Sequence, residues 1–305
     1  MNGDDDVICG ATHVGRKRSV NQDHFLIAKL QNSLSVQQSS LPLQSLERTY
    51  IHPLGTLMLV ADGMGGHAAG ERASLMAIET IVEQLVNRSE SIFPSRHVDD
   101  AAIIHQLQET IRRTHERLQN EGRRDTTLAG MGTTLTMAII RWPHLYVAHA
   151  GDSRCYLIRR QEVKQLTTDH TMARRLVDSG GLKPADESNS KWSSVLWNVI
   201  GGTSESAVTA EVKRIELEPG DCIMLCSDGL HRFLDPALIK QTLLQRPSPR
   251  AAADAFIQLA LSGGGDDNIT VIVATPDAPQ GMASTEIYGA DTKLRPTDYW
   301  ENNAS

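Results

Sequence analysis

Five aspartates share one setting in this 305-residue chain. Asp62 follows Met58-Leu59-Val60-Ala61 and precedes Gly63, and Asp228 follows Ile223-Met224-Leu225-Cys226-Ser227 and precedes Gly229. Asp152 follows Val147-Ala148-His149-Ala150-Gly151, Asp267 stands before Asn268 and an apolar run, and Asp23 closes Asn21-Gln22-Asp23 before another. One aspartate at the end of a buried strand reads as a cap or a turn residue. Five in the same place would repel one another, so a positive charge must sit between them. Carboxylates with glycine carbonyls and no local Cys or His cluster suit a hard, oxygen-loving cation, Mn²⁺ or Mg²⁺. No stretch has the regular spacing of a calcium loop. Two such ions about 3.5–4 Å apart lower the pKa of a shared water and hold a phosphoryl group.

A phosphate also calls for a fork-shaped cation. Arg18, five residues before Asp23, reaches the same rim, where its planar guanidinium grips two oxygens at once. His67, just past Gly65-Gly66, is placed to protonate a leaving alkoxide. The segment Ala61-Asp-Gly-Met-Gly-Gly-His-Ala-Ala-Gly-Glu-Arg72 has the glycine content of a phosphate-cradling loop, but Glu71 and Arg72 stand where that loop needs Lys and then Ser or Thr. A nucleotide-binding switch is therefore set aside. Gly151-Asp152-Ser153-Arg154-Cys155 lacks the final glycine of a serine-hydrolase elbow. Cys9, Cys155, Cys222 and Cys226 are too scattered for a zinc site and read as buried free thiols in a reducing cytosol.

These residues must be positioned by the elements around them. Alternating or continuous apolar runs predict strands at 7–13, 24–30, 56–61, 133–140, 144–150, 153–159, 209–217, 221–227 and 269–274, with a short piece near Val163. Apolar residues at helical spacing predict helices at 69–87, 99–120, 171–179, 236–245 and 249–262. Residues 31–50 are polar and rich in Ser and Gln, a surface loop, and 276–305 lack periodicity, a flexible tail. Strands and helices come in blocks rather than alternating, which favours α+β: two antiparallel sheets face to face with a helix pair outside each. One catalytic domain then covers 1–275. The net charge of −7 argues against nucleic acid, and no apolar run reaches bilayer length, which leaves a soluble cytoplasmic protein with no membrane insertion.

Seven short segments, in this order, resemble the metal-dependent serine/threonine phosphatases of the protein phosphatase 2C type in their compact bacterial form. They are Arg18-Ser-Val-Asn-Gln-Asp23, Val60-Ala-Asp-Gly-Met-Gly-Gly-His67, Gly132-Thr-Thr-Leu135, Ala150-Gly-Asp-Ser-Arg154, Leu166-Thr-Thr-Asp-His170, Cys226-Ser-Asp-Gly-Leu230 and Asp267-Asn-Ile-Thr270. The resemblance implies a four-layer α-β-β-α sandwich with the site at one edge of the paired sheets. It implies that Asp62 bridges two Mn²⁺ or Mg²⁺ ions, that Asp228 and Asp267 complete one shell, and that the Gly63 carbonyl with Asp23 serves the other. Asp152, together with Asp228, would hold a third, weaker ion, and Arg18 the substrate phosphate, with His67 as acid. The reaction implied is hydrolysis of phosphoserine and phosphothreonine in proteins by a water bridging the two ions, reversing a Ser/Thr kinase, in a monomer. Residues 171–201 correspond to a variable flap, where Arg174 and Arg175 either steer substrate or form a solvated helix face. Gln22 departs from the pattern, since many relatives are acidic there. Two rivals keep the fold: a catalytically weak regulatory module acting through protein contacts, and an enzyme for small phosphoesters.

Overall fold

The computed structural model describes residues 7–30, 34–40, 55–87, 99–203, 207–246 and 248–276. Among the described residues thirteen strands form: β1 Ile8–His13, β2 Asp23–Leu30, β3 Leu34–Ser39, β4 Gly55–Met64, β5 Gly132–Thr133, β6 Leu135–Arg141, β7 His144–Ala150, β8 Arg154–Arg159, β9 Glu162–Gln165, β10 Ile200–Gly201, β11 Glu211–Glu216, β12 Cys222–Cys226 and β13 Ile269–Ala274. The helices are α1 His67–Asn87, α2 Asp100–Arg124, α3 Met172–Asp178, the single turn α4 Asp228–His231, α5 Pro236–Leu244 and α6 Pro249–Ser262.

The smaller sheet has the order β1-β13-β12-β8-β9, and the larger β10-β5-β4-β6-β7-β11, with β2 paired to β4 and to β3. Every pairing is antiparallel. Side chains alternate across a strand, so each strand feeds two interfaces. In β4, Leu57, Leu59 and Ala61 face α1 and α2, where they meet Ile78, Ile81, Leu107 and Ile111. Met58 and Val60, one residue out of phase, face the other sheet and meet Ile223, Leu225 and Ile272. On the far side Met224, Cys226, Val271 and Val273 pack under Ile239, Phe256 and Ala260 of α5 and α6. Three buried interfaces thus separate four layers, the α-β-β-α sandwich that the block order of elements predicts. Cys222 and Cys226 lie on one face of β12, as their spacing requires.

Several boundaries move, two of them with a clear local cause. Helix α2 runs to Arg124 rather than residue 120: Arg123 and Arg124 sit at its negative end and the Asp125 N–H closes the last turn on the Glu121 carbonyl. Residues 34–39, expected within a polar loop, form β3 against β2. There the Gln38 amide bonds both backbone groups of Gly10 at 2.8 Å, which ties the strand to β1. The rest of the 31–50 loop beyond Ser40 and the tail after Pro276 lie outside the described residues.

Candidate active site at the sheet ends

One end of the sandwich collects all five aspartates. Asp23 starts β2 and sits opposite Asp62 in the ladder with β4. Asp152 lies in the link by which the chain leaves β7 of the larger sheet for β8 of the smaller. Asp228 opens α4 directly after β12, and Asp267 precedes β13. Asp62, Asp152, Asp228 and Asp267 line a cleft of about 430 Å³ with Arg18, Gln22, Gly63, Gly65, Gly66, Thr134, Arg232 and, from the flap, Ser194 and Leu196.

The backbone here is held tightly. The Asp62 carbonyl accepts from Thr134 N–H at 2.9 Å and Thr133 Oγ1 at 2.8 Å, and Asp62 N–H donates to Thr134 Oγ1 at 3.1 Å. Asn268 donates to the carbonyls of Val14 and Val20 and accepts from Gln22 N–H, which fixes the loop bearing Arg18 beside Asp267. Gly63 has no room for a side chain, since a Cβ would stand 2.0 Å from the Gly70 carbonyl oxygen. Gly63→Ala should therefore cost about 1–3 kcal/mol through overpacking. A lowered thermal midpoint by circular dichroism would show it, and an unchanged midpoint would contradict this crowding.

The carboxyls strain against each other. Burial raises Asp62 well above the carboxylate range, and the charges of Asp23, Asp228, Asp152 and Asp267 raise it further. Burial lifts Asp23 to about 7 and Asp152 to about 8, with Asp228 adding to both, and Asp228 is itself raised by burial. Two oxygens, Asp23 Oδ1 and Asp228 Oδ1, are buried with no hydrogen-bond partner. Buried carboxylate oxygens without a donor are costly unless a cation takes them. With the all-oxygen donor set and the close backbone at Gly63, they fit hard divalent cations.

Arg18 Nη2 donates to Asp267 Oδ2 at 2.8 Å, with half its side chain exposed at the cleft. His67 is the first residue of α1, and its side chain lies outside the described residues. Gln22 is a brace: its Nε2 donates to the Gly66 carbonyl at 2.8 Å, a bond that a carboxylate could not make. Arg174 is paired with Asp178 and Glu187, and Arg175 lies 5.4 Å from the Trp197 ring, so both are engaged within the flap.

Sequence reasoning missed three features. Arg232 lines the cleft and donates to Asp228; the four-residue spacing of the two is the signal that could have found it. Arg154 grips Asp169 with two nitrogens at 2.7–3.1 Å and ties β8 beside Asp152. Finally His149, His170 and Glu211 bring ligating atoms within 4.8 Å of one another. Their bonds are already committed. His149 Nε2 faces the carbonyls of Gly151 and Thr168, His170 Nδ1 accepts from Gly151 N–H and the Asn198 amide, and Glu211 accepts from Thr168 and Lys213. Burial drives His149 down to about 4 and lowers His170. The trio is a neutral-histidine buckle that sets Gly151, and so Asp152, against the flap.

Two face-to-face antiparallel sheets with an acidic, arginine-lined cleft across their shared end make a framework suited to hard divalent cations and a phosphate. The profile of the family described as "Protein phosphatase 2C" matches residues 9–260. The "Serine/threonine phosphatase stp" of Listeria monocytogenes is 31% identical over 224 residues, 73% of this chain and 86% of that protein. The crystal structure of the Mycobacterium tuberculosis serine/threonine phosphatase PstP/Ppp superimposes with a TM-score of 0.68 at 30% identity, covering 89% of this chain and 98% of that one. A structure of the PstP catalytic domain described as "in complex with 2 Manganese ions" gives a TM-score of 0.66 at 29% identity, with 89% and 98% coverage. The chain belongs to the protein phosphatase 2C family and is a protein-serine/threonine phosphatase, a member of the bacterial branch of that family. Among the described residues no helix is long and apolar enough to cross a membrane.

Proposed function

We propose that this cleft removes phosphate from phosphoserine and phosphothreonine in proteins by direct hydrolysis. The observation that carries the reading is the convergence of five carboxylates, two with orphaned buried oxygens, under an arginine at the cleft mouth. Asp62 is assigned to both of two divalent ions, Mn²⁺ or Mg²⁺. Asp228 and Asp267 are assigned to one, the Gly63 carbonyl and Asp23 to the other, and Asp152 with Asp228 to a third, weaker ion. Such cations lower the pKa of water and offset phosphoryl charge.

The chain's own groups do the rest. Arg18 is close enough to Asp267 to pass its guanidinium to phosphate oxygens, orienting the phosphorus toward the carboxylate cluster. His67, beginning α1 beside Gly65-Gly66, is assigned the proton delivered to the leaving serine or threonine oxygen. No phosphoenzyme is needed: all four cysteines are buried, and burial pushes the Cys222 and Cys226 thiols up to about 12 and Cys155 higher still. Buried free thiols support a reducing, cytoplasmic setting. A cognate Ser/Thr kinase supplying the phosphoproteins, and a monomeric state, complete the reading.

The test is phosphate release from a phosphothreonine peptide and from p-nitrophenyl phosphate, with Mn²⁺ and with EDTA. Peptide turnover that needs Mn²⁺ and falls about 10–100-fold in kcat/KM for Arg18→Ala is expected, the worth of a hydrogen bond to a charged group. Turnover confined to the small ester would turn the reading toward small phosphoesters. Turnover undiminished in EDTA would overturn it.

A further inference from the structure

Arg232 stands at the cleft mouth, directly after the single turn of α4. That turn places it four residues past Asp228, and its Nη2 donates to Asp228 Oδ2. Its Nη1 lies 4.0 Å from Asp267 Oδ2, the same oxygen that accepts from Arg18 Nη2 at 2.8 Å. Two guanidiniums from opposite ends of the chain therefore flank one carboxylate oxygen. Both side chains are about half exposed, 50% for Arg18 and 45% for Arg232, and both line the cleft.

An arginine on a carboxylate destined for a cation is that cation's competitor. Once the cation takes Asp228, the guanidinium needs a new anion. With Asp228 and Asp267 both neutralised, the anion nearest to it is the one that Arg18 receives. We infer that Arg232 is a second phosphate-gripping residue, parked on Asp228 in the metal-free protein and turned to the phosphoryl oxygens when divalent cations occupy the carboxylates. The inference rests on the proposed function, since it needs cations on Asp228. It gives the site a clamp of two forks, with Arg18 held by the loop that Asn268 pins and Arg232 free to swing from the end of a short turn.

A purely structural arginine would hold α4 in place and leave phosphate alone. Inorganic phosphate titrated calorimetrically into Mn²⁺-saturated protein separates the two roles, using wild type, Arg232→Ala, Arg232→Lys and Arg18→Ala, each first shown to melt cooperatively. Arg232→Ala should weaken phosphate binding about tenfold, and Arg232→Lys should recover part of the loss, since it keeps the charge without the fork. Mn²⁺ titrated into metal-free protein should bind Arg232→Ala about two- to fivefold more tightly than wild type, because a half-exposed competing ion pair is gone. Phosphate affinity of Arg232→Ala within twofold of wild type in the Mn²⁺-saturated protein overturns the inference. If Arg18→Ala alone loses phosphate, the site reading survives and Arg232 drops out of it. If Mn²⁺-loaded wild type binds no phosphate, the site reading itself fails.

Discussion

Asp62→Asn should lose about 10³-fold in kcat/KM on a phosphothreonine peptide while its metal-free form becomes more stable than wild type. The loss follows from the assigned role: Asp62 is the carboxylate shared by both cations, and metal-derived stabilisation of about 4 kcal/mol corresponds to about three decades in rate. The gain follows from the same position. Burial and four neighbouring carboxylates hold the Asp62 carboxyl far above its ordinary pKa, so the folded chain resists its charge. A neutral amide of the same shape relieves that cost and keeps the Asp62 carbonyl bonds to Thr133 and Thr134. In EDTA near pH 8 the relief should appear as a thermal midpoint several degrees higher. Excess Mn²⁺ should erase or reverse the difference, because wild type then gains the binding energy that the variant has lost. A variant as active as wild type would remove Asp62 from the site. A metal-free variant less stable than wild type would mean that its carboxyl makes a favourable bond in the empty cluster.

The two signs together are informative because the cluster breaks the rule that governs the rest of the chain. In the two cores local pattern and global fold agree. Leu57-Met58-Leu59-Val60-Ala61 is apolar throughout, as a strand buried on both faces must be, and the two cores take its residues alternately. The aspartates were legible for the opposite reason: acidic residues at the ends of buried strands conflict with their setting, and such conflicts mark sites.

What was not legible depends on pairing and on very short elements. Nothing local in Leu34-Ser-Val-Gln-Gln-Ser39 demands a strand; β2 alongside it and the Gln38 bonds to Gly10 make one. Arg232 owes its place to α4, which at four residues is too short to show a helical period. Gln22 looked like a gap in an acidic pattern, but its use is as a donor to Gly66, visible only once the glycine loop has folded against β2. The crossing from β7 to β8 at Gly151-Asp152 sets which sheet supplies Asp152. Only the long-range partners of those strands, β11 and β12, fix that choice.

Metal-free protein should lose stability as pH rises from about 7 to 8.5, and divalent cations should remove that loss. The sign follows from the direction of the shifts. A carboxyl whose folded pKa is raised holds its proton more tightly in the folded chain than in the unfolded chain, where it titrates near 4. Its contribution is full below that value and disappears as pH climbs through the folded pKa, about 7 for Asp23 and about 8 for Asp152. Each proton that only the folded state holds costs up to about 1.4 kcal/mol per pH unit. Asp169, held low by Arg154, has finished titrating below this window, and the buried histidines His24, His149 and His231, which burial holds down to about 4, 4 and 3, have given up most of their opposite slope by pH 7, above the unfolded value near 6.5. Cations compete with those same protons, so Mn²⁺ affinity should climb over the interval in which the metal-free chain weakens. Thermal melts at pH 7, 7.5, 8 and 8.5, each with EDTA and with excess Mn²⁺, check both halves. A midpoint in EDTA that stays level or rises would mean that the aspartates ionise freely in the folded chain. Parallel slopes with and without Mn²⁺ would mean that the cation does not displace their protons. The cluster is built to be uncomfortable when empty, and that discomfort is what makes divalent cations with six or more oxygen ligands its natural counter-charge.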